Sequence, residues 1–283
     1  MKSQRKWTRV TVLLAAALFT ARTYALDIDL GNAAPYSAFV FEDASGLTSS
    51  AGRVAVGGNL SLTTASIGAS TPTLASVPSL VVRGNITSYT GGALWSGSSA
   101  GFGQYVGTKA ASTPASLDLR KVTSLPVDFD SERVYLTAMS EQLRDLPNTG
   151  QASVSGSTLT LTGSNNAMLE VFSLSAAQVA ATQTVALANV APDTHIVINL
   201  SADALRRISF GINTVALAGW QGRVLFNAYD AETLQFNGLT LWGSLLATNA
   251  CICTSTGQLQ GSVVARKWTA TMNIAYTPFV PKP

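Results

Sequence analysis

Three short segments of one pattern recur in the last third of the chain: GRVLFN from Gly222, GSLLATN from Gly243 and GSVVARK from Gly261. Each opens on a glycine and continues as a β-branched or leucine run. The spacings, 21 and 18 residues, fall in the range of layers that stack on one another, each burying its apolar face only against its neighbours. Alternation within a unit, as at Leu239 and Leu241, turns one face inward. An earlier pair echoes the same design: VAVGGNLS at Val54–Ser61 and LVVRGNIT at Leu80–Thr87. Both place a strand run before a Gly-Asn corner, where residues tolerant of positive φ are expected to reverse the chain. The expectation is a mainly β chain, a right-handed β-solenoid of β-helix type. The alternative is a β-sandwich, which also accommodates irregular short strands.

One long helix interrupts the strands. Asp128, Asp130 and Ser131 offer capping oxygens, and Glu132 complements the helix dipole. Leu136, Met139, Leu143 and Leu146 recur at steps of three and four, and Pro147 stops the run. The spacing predicts a helix over 128–146 lying along the side of the strands. A second, short helix is expected to start at Ser175.

The chain's two ends bear on its destination. Lys2, Arg5, Lys6 and Arg9 precede an apolar stretch from Val10 to Phe19, and Thr23 and Ala25 supply small residues before Leu26. This is the pattern of a cleavable secretory signal, residues 1–25, followed by a single domain, 26–283. The apolar stretch is shorter than the roughly 20 residues of a membrane span. The signal holds five of the 18 Lys+Arg and none of the 15 Asp+Glu. The remainder carries 13 positives against 15 negatives, a net −2, which argues against a nucleic-acid partner.

Chemistry is sparse. Gly97-Ser98-Ser99-Ala100-Gly101 fits the G-x-S-x-G pattern, and His195 with Asp193 are conceivable partners, but a nucleophile elbow needs a strand before the serine and a helix after it. The flanks here are Gly/Ser-rich. Glu42 and Asp43 supply too few carboxylates for a calcium site. No catalytic residue, metal ligand or cofactor is assigned. Cys251 and Cys253, as C-x-C in one strand run, place two sulfurs on one face. The favoured reading is two small residues packed in a core. A disulfide between them would close a small ring, and a bridge to a second chain is the other reading. Trp95, Phe102 and Tyr105, in LWSGSSAGFGQY, are the candidate ligand-binding aromatics.

The segments LGNAAPYSAFVFEDAS (Leu30–Ser45), GRVAVGGNLSL (Gly52–Leu62) and VDFDSERVYLTAMSEQL (Val127–Leu143) carry a family resemblance. So do the run from Leu159, HIVINLS at His195–Ser201, and the tail from Gly222. Together they resemble the bacterial choice-of-anchor A domain over residues 30–279. The resemblance implies a secreted or surface adhesive domain of β-solenoid character with no catalytic residues to carry over. Members usually end in a sorting signal, whereas only VPKP follows Phe279, so anchoring through such a signal is not expected. The resulting expectation is an extracellular adhesion module, not an enzyme, whose ligand is a polysaccharide or a matrix or surface protein. The alternatives are a self-associating coat protein, a secreted hydrolase acting through a carboxylate or Ser99, and an ice-binding protein. The last would want regular T-x-T strands, and Thr158–Thr162 is the Thr-rich piece noted.

Overall fold

A computed structural model describes residues 27–166 and 168–282; the expected secretory signal lies outside them. The chain is mainly β. It begins with β1 (Tyr36–Val40), β2 (Ala44–Ser45), β3 (Ser49–Ser50), β4 (Arg53–Val56), β5 (Leu60–Ile67), β6 (Leu80–Val82), β7 (Ile86–Ser96), β8 (Ser99–Ala100), β9 (Gly103–Tyr105) and β10 (Leu119–Lys121). Helix α1 (Phe129–Arg144) follows, then β11 (Gln151–Ser155), β12 (Thr158–Thr162), β13 (Leu169–Ser175), α2 (Ala176–Ala181), β14 (Thr184–Ala188), β15 (His195–Ser201) and β16 (Arg207–Phe210). The last strands are β17 (Val224–Asn227), β18 (Thr233–Trp242), β19 (Ser244–Gln260) and β20 (Val263–Ala275).

Nearly all pairings are parallel. One ladder runs β10–β9–β6–β4–β1–β20–β19–β17–β15–β13. A second runs β7–β5–β2–β20–β19–β18–β16. Because β2 and β3 both pair with β5 and β20, these four strands form a closed ring. A sandwich of antiparallel sheets would look different: among the described residues only β7–β8 and β11–β12 are antiparallel ladders.

The chain does not visit these layers in order. It starts at β1 in the middle, adds β4, β6, β9 and β10 outward on one side, and then returns along α1. It restarts at the far side with β13 and works back through β15, β17 and β19, until β20 closes onto the free edge of β1 (Ala38↔Val263). Parallel strands need a long crossover, and α1 with its flanking segments is that crossover.

The expected repeats reappear with one change of register. Val54↔Leu80 and Leu60↔Ile86 keep the 26-residue offset of the first pair, and Leu245↔Val263 keeps the offset of 18. Between β17 and β19, however, Phe226 meets Leu245, an offset of 19, where the glycine spacing suggested 21. The 3₁₀ segment Val215–Arg223 runs through Gly222 and delays the strand by two residues. A shift of two leaves every side chain on its own face.

The inner strands of the first ladder, β1, β4, β6, β15 and β17, are buried on both sides, as parallel strands usually are. Val54, Val56, Ile196, Ile198, Val224 and Phe226 point into the interior of the stack. Ala55, Val81, Val197, Leu225, Leu246 and Val264 face the other way, against Phe129, Leu136, Met139 and Leu143 of α1. Asp128 caps α1, accepting from the backbone N–H groups of Asp130 and Ser131. Ser175 and Gln178 form a capping box on α2.

The Gly-Asn corners work differently from the sequence expectation. None of Gly57, Gly58, Asn59, Gly84 and Asn85 takes a positive φ. The glycines are needed for stacking distance instead: a Cβ on Gly84 would lie 2.4 Å from the carbonyl oxygen of Gly58. The asparagines form a side-chain ladder. Asn59 donates from its backbone to Asp43 Oδ1 (2.7 Å), Asn85 donates from its backbone to Asn59 Oδ1 (2.9 Å), and Thr108 donates to Asn85 Oδ1 (2.8 Å). Asn59→Ala should therefore cost about 1–3 kcal/mol, because it strands the Asn85 donors. A urea unfolding midpoint unchanged by this substitution would contradict that role.

Candidate functional site

The end of the first-half stack carries an open cleft of about 500 Å³. Its floor is made of small residues, Gly92, Ala93, Ala100 and Gly101, where β7 folds back on β8. Trp95, at the end of β7, is 37% exposed and forms one wall. Opposite elements supply the rest: Phe102 just before β9, and Asp118 and Arg120 around the start of β10. Arg120 stacks its guanidinium 3.9 Å from the centre of the Phe102 ring. The same guanidinium donates to Asp118 through Nε (3.1 Å) and Nη2 (2.6 Å).

This arrangement has definite chemistry. Stacking and pairing hold Arg120 in one orientation, and the hydrogen bond from Arg120 holds the Asp118 carboxyl below its usual range. Asp118 is therefore an acceptor-only group at neutral pH. A half-exposed indole beside a fixed carboxylate offers an apolar face and a pair of acceptor oxygens within one cleft.

Of the three aromatics singled out from sequence, the cleft brings together two. Trp95 and Phe102 line it, with Phe102 buried beneath Arg120. Tyr105 is in β9, buried in the interior of the stack. The Gly/Ser-rich segment that carries them forms the β7–β8 hairpin and β9. Asp118 and Arg120 escaped sequence reasoning, since an Asp-x-Arg spacing carries no signal until the ring it covers is known.

The remaining candidates are dispersed. Ser99 is exposed in the hairpin strand β8, with no helix after it. His195 begins β15, where its Nε2 is 2.9 Å from the Val280 carbonyl oxygen and its ring meets Phe279 edge-on. Burial pushes the His195 pKa down. The layers of β7 and β15 are six strand spacings apart, roughly 29 Å. Asp193 pairs with Arg223 at 3.5 Å. Asp43 belongs to the corner ladder, and Glu42 pairs with Arg266 at 2.9 Å. Among the described residues no group of three or more His, Cys, Asp or Glu is placed to hold a metal ion.

Cys251 and Cys253 lie on the outer face of β19 and are joined as a disulfide, not packed as two core thiols. Their Cα atoms are 5.3 Å apart, within the reach of such a bridge. The bonded pair sits in a polar field that the sequence reading passed over. Thr254 and Thr256 on β19 and Thr271 on β20 are exposed, with Thr269 half-buried beside them. Register places Thr256 against Thr271, and Cys253 against Thr269. These are two adjacent T-x-T strands, whereas Thr158–Thr162 forms β12 of the separate three-stranded sheet.

Among the described residues no helix is long and apolar enough to cross a membrane. A family model described as a putative ice-binding-like adhesive domain matches residues 29–276. No curated protein and no solved structure matches the chain.

Proposed function

Because the chain belongs to the putative ice-binding-like adhesive domain family, we propose that it is a secreted adhesion module without a catalytic centre. In this reading it is a choice-of-anchor A-type domain whose stacked parallel layers wind as a right-handed β-solenoid. The stack is a rigid support for ligand contacts at the cell surface or in the matrix. The observation that carries the reading is the Trp95–Phe102–Arg120–Asp118 cleft, which fits a polysaccharide or a surface protein. Aromatic faces stack well on sugar rings and side chains, and the ionised Asp118 accepts hydroxyl or amide donors.

The test is a glycan and matrix-protein array probed with residues 26–283 at physiological salt. Selective, saturable binding is expected, weakened roughly tenfold by Trp95→Ala, about 1.4 kcal/mol. A blank array from folded protein would sink this reading and turn attention to self-association, checked by concentration-dependent light scattering. A pH titration adds a second expectation. Since Arg120 lowers the Asp118 pKa, the ionised form persists as pH falls through the usual Asp range near 4. Binding should hold through that range and fail only below it; loss of binding at pH 5 would exclude Asp118 as the acceptor.

A second reading is ice binding, favoured by the adjacent T-x-T strands of β19 and β20. Thermal hysteresis in freezing solutions, lost on Thr256→Lys, would establish it over adhesion. Absence of hysteresis at high protein concentration would remove it.

A further inference from the structure

Bonded cysteines usually tie distant parts of a chain together. The Cys251–Cys253 bridge spans two positions of one strand, so it restrains the unfolded chain far less than a bridge between layers would. Nor does the fold need it to hold β19 in place. That strand is paired on both sides through this region, Cys251 with Thr233 of β18 and with Lys267 of β20, and Cys253 with Thr269. The bridged segment is also set off from the rest of β19. Register shifts fall between Ala247 and Cys251 and again between Cys253 and Thr256, and Thr254 takes a positive φ of 51°. Local change at the bridge can therefore occur between two existing irregularities.

The two sulfurs are not equivalent. Cys251 is buried, at 4% exposure, and Cys253 is half-buried on the outer face. Cys253 is therefore the more accessible of the two to an external thiolate. The charges around the pair are also uneven. Lys267, half-buried, is the register partner of Cys251 on the neighbouring strand, roughly 4.8 Å across the ladder, so the two side chains leave the same face. On the other side the partner is Thr233, uncharged, and the neighbouring carboxylate Glu232 is engaged with Arg206 at 3.7 Å. A cation beside Cys251 favours its thiolate and so makes it the better leaving group.

We propose that Cys251–Cys253 is an exchangeable disulfide that takes an accessible external thiol as its substrate and forms a reversible mixed disulfide at Cys253. The incoming thiolate attacks Cys253 Sγ, a new S–S bond forms there, and the Cys251–Cys253 bond breaks with its electron pair leaving on Cys251 Sγ beside Lys267. Protonation of that thiolate by water completes the step. Attack by Cys251 on Cys253 Sγ reverses it and releases the thiol. One disulfide and one thiolate stand on each side, so no oxidant is required. A small molecule or a cysteine of a neighbouring protein can supply the thiol; the site offers both the same chemistry.

The experiment treats the intact secreted chain with glutathione, and in parallel with an unstructured peptide holding one cysteine, followed by intact-mass and fragment spectra. Expected is a single adduct on Cys253 with circular dichroism unchanged. The single-cysteine variants have no disulfide, so they are offered oxidised glutathione. Cys251→Ser should take up glutathione on Cys253, releasing one reduced glutathione, and hold the adduct for want of a second thiol to expel it. Cys253→Ser should react roughly tenfold more slowly through buried Cys251. Lys267→Gln should slow exchange several-fold at unchanged fold, an effect a purely structural bridge would not show. Glutathione adducts without peptide adducts assign the site to small thiols, and both together extend it to protein cysteines. Should the cysteine variants fail to fold, wild type and Lys267→Gln decide the matter alone. A bridge that resists millimolar thiol until urea unfolds the protein, or equal labelling of both sulfurs, overturns the proposal.

Discussion

Asn227→Ala is expected to lower the thermal unfolding midpoint by roughly 6–15 °C, a loss of about 3–5 kcal/mol in a domain of this size. Asn227 is fully buried at the end of β17, facing α1. It accepts from the Ser140 hydroxyl (2.6 Å) and donates to the Ser140 carbonyl oxygen (2.9 Å) and to Asn199 Oδ1 (2.8 Å). Asn199, its register partner on β15, donates in turn to the Leu143 carbonyl oxygen (2.7 Å). Two amides thus fasten the last turns of α1 to two stacked strands. Removing the Asn227 side chain takes a partner from the Ser140 hydroxyl, the Ser140 carbonyl and the Asn199 amide oxygen, all at buried residues. That asymmetry, more than the bonds themselves, sets the size of the effect. Differential scanning calorimetry measures it. The exposed Asn237→Ala, which loses one surface contact to Ser209, should change stability by no more than about 0.5 kcal/mol. Equal midpoints for the two variants would show that the buried network does not anchor the helix.

The same residues mark what a single sequence can and cannot disclose. The strand character, the helix over 128–146 and its capping by Asp128 follow from periodicity and local chemistry, which act over a few residues. The offsets of 26 and 18 were also visible, since each repeats a pattern of glycine and apolar residues. The order of the layers was not. Nothing local to β20 says that its partner is β1, more than 200 residues earlier, because any apolar β edge offers the same backbone groups. Asn199 and Asn227 look like ordinary strand asparagines until the register sets them side by side under α1. The cleft was half legible: Trp95 stands out as an aromatic in a Gly/Ser-rich run. Asp118 and Arg120 acquire meaning only when β10 is laid beside β9 and the guanidinium covers Phe102.

Glycine carries the largest single-site effect, and composition alone cannot say which glycine. Gly92→Ala and Gly257→Ala are each expected to cost more than about 4 kcal/mol and to yield little folded protein. Gly92 has φ +108° and faces Ala65 of the neighbouring layer; an added Cβ would lie 1.9 Å from the Ala65 carbonyl oxygen. Gly257 has φ +125° and repeats the situation against Leu239, at 2.1 Å from its carbonyl oxygen. In both cases the obstacle is backbone, held by ladder hydrogen bonds at the fixed spacing of roughly 4.8 Å between parallel strands. A rotamer change cannot relieve it; the layers themselves would have to separate. Gly211 supplies the contrast. It sits just after β16, without a positive φ, and a methyl group added there would meet no atom within 4 Å. Gly211→Ala should be neutral or stabilise by up to about 1 kcal/mol, by narrowing the unfolded ensemble. Guanidinium unfolding of the three variants decides the point. If Gly92→Ala and Gly257→Ala unfold at the midpoint of Gly211→Ala, close stacking of the layers is not what these positions select for, and the parallel ladders around them must be looser than their register implies.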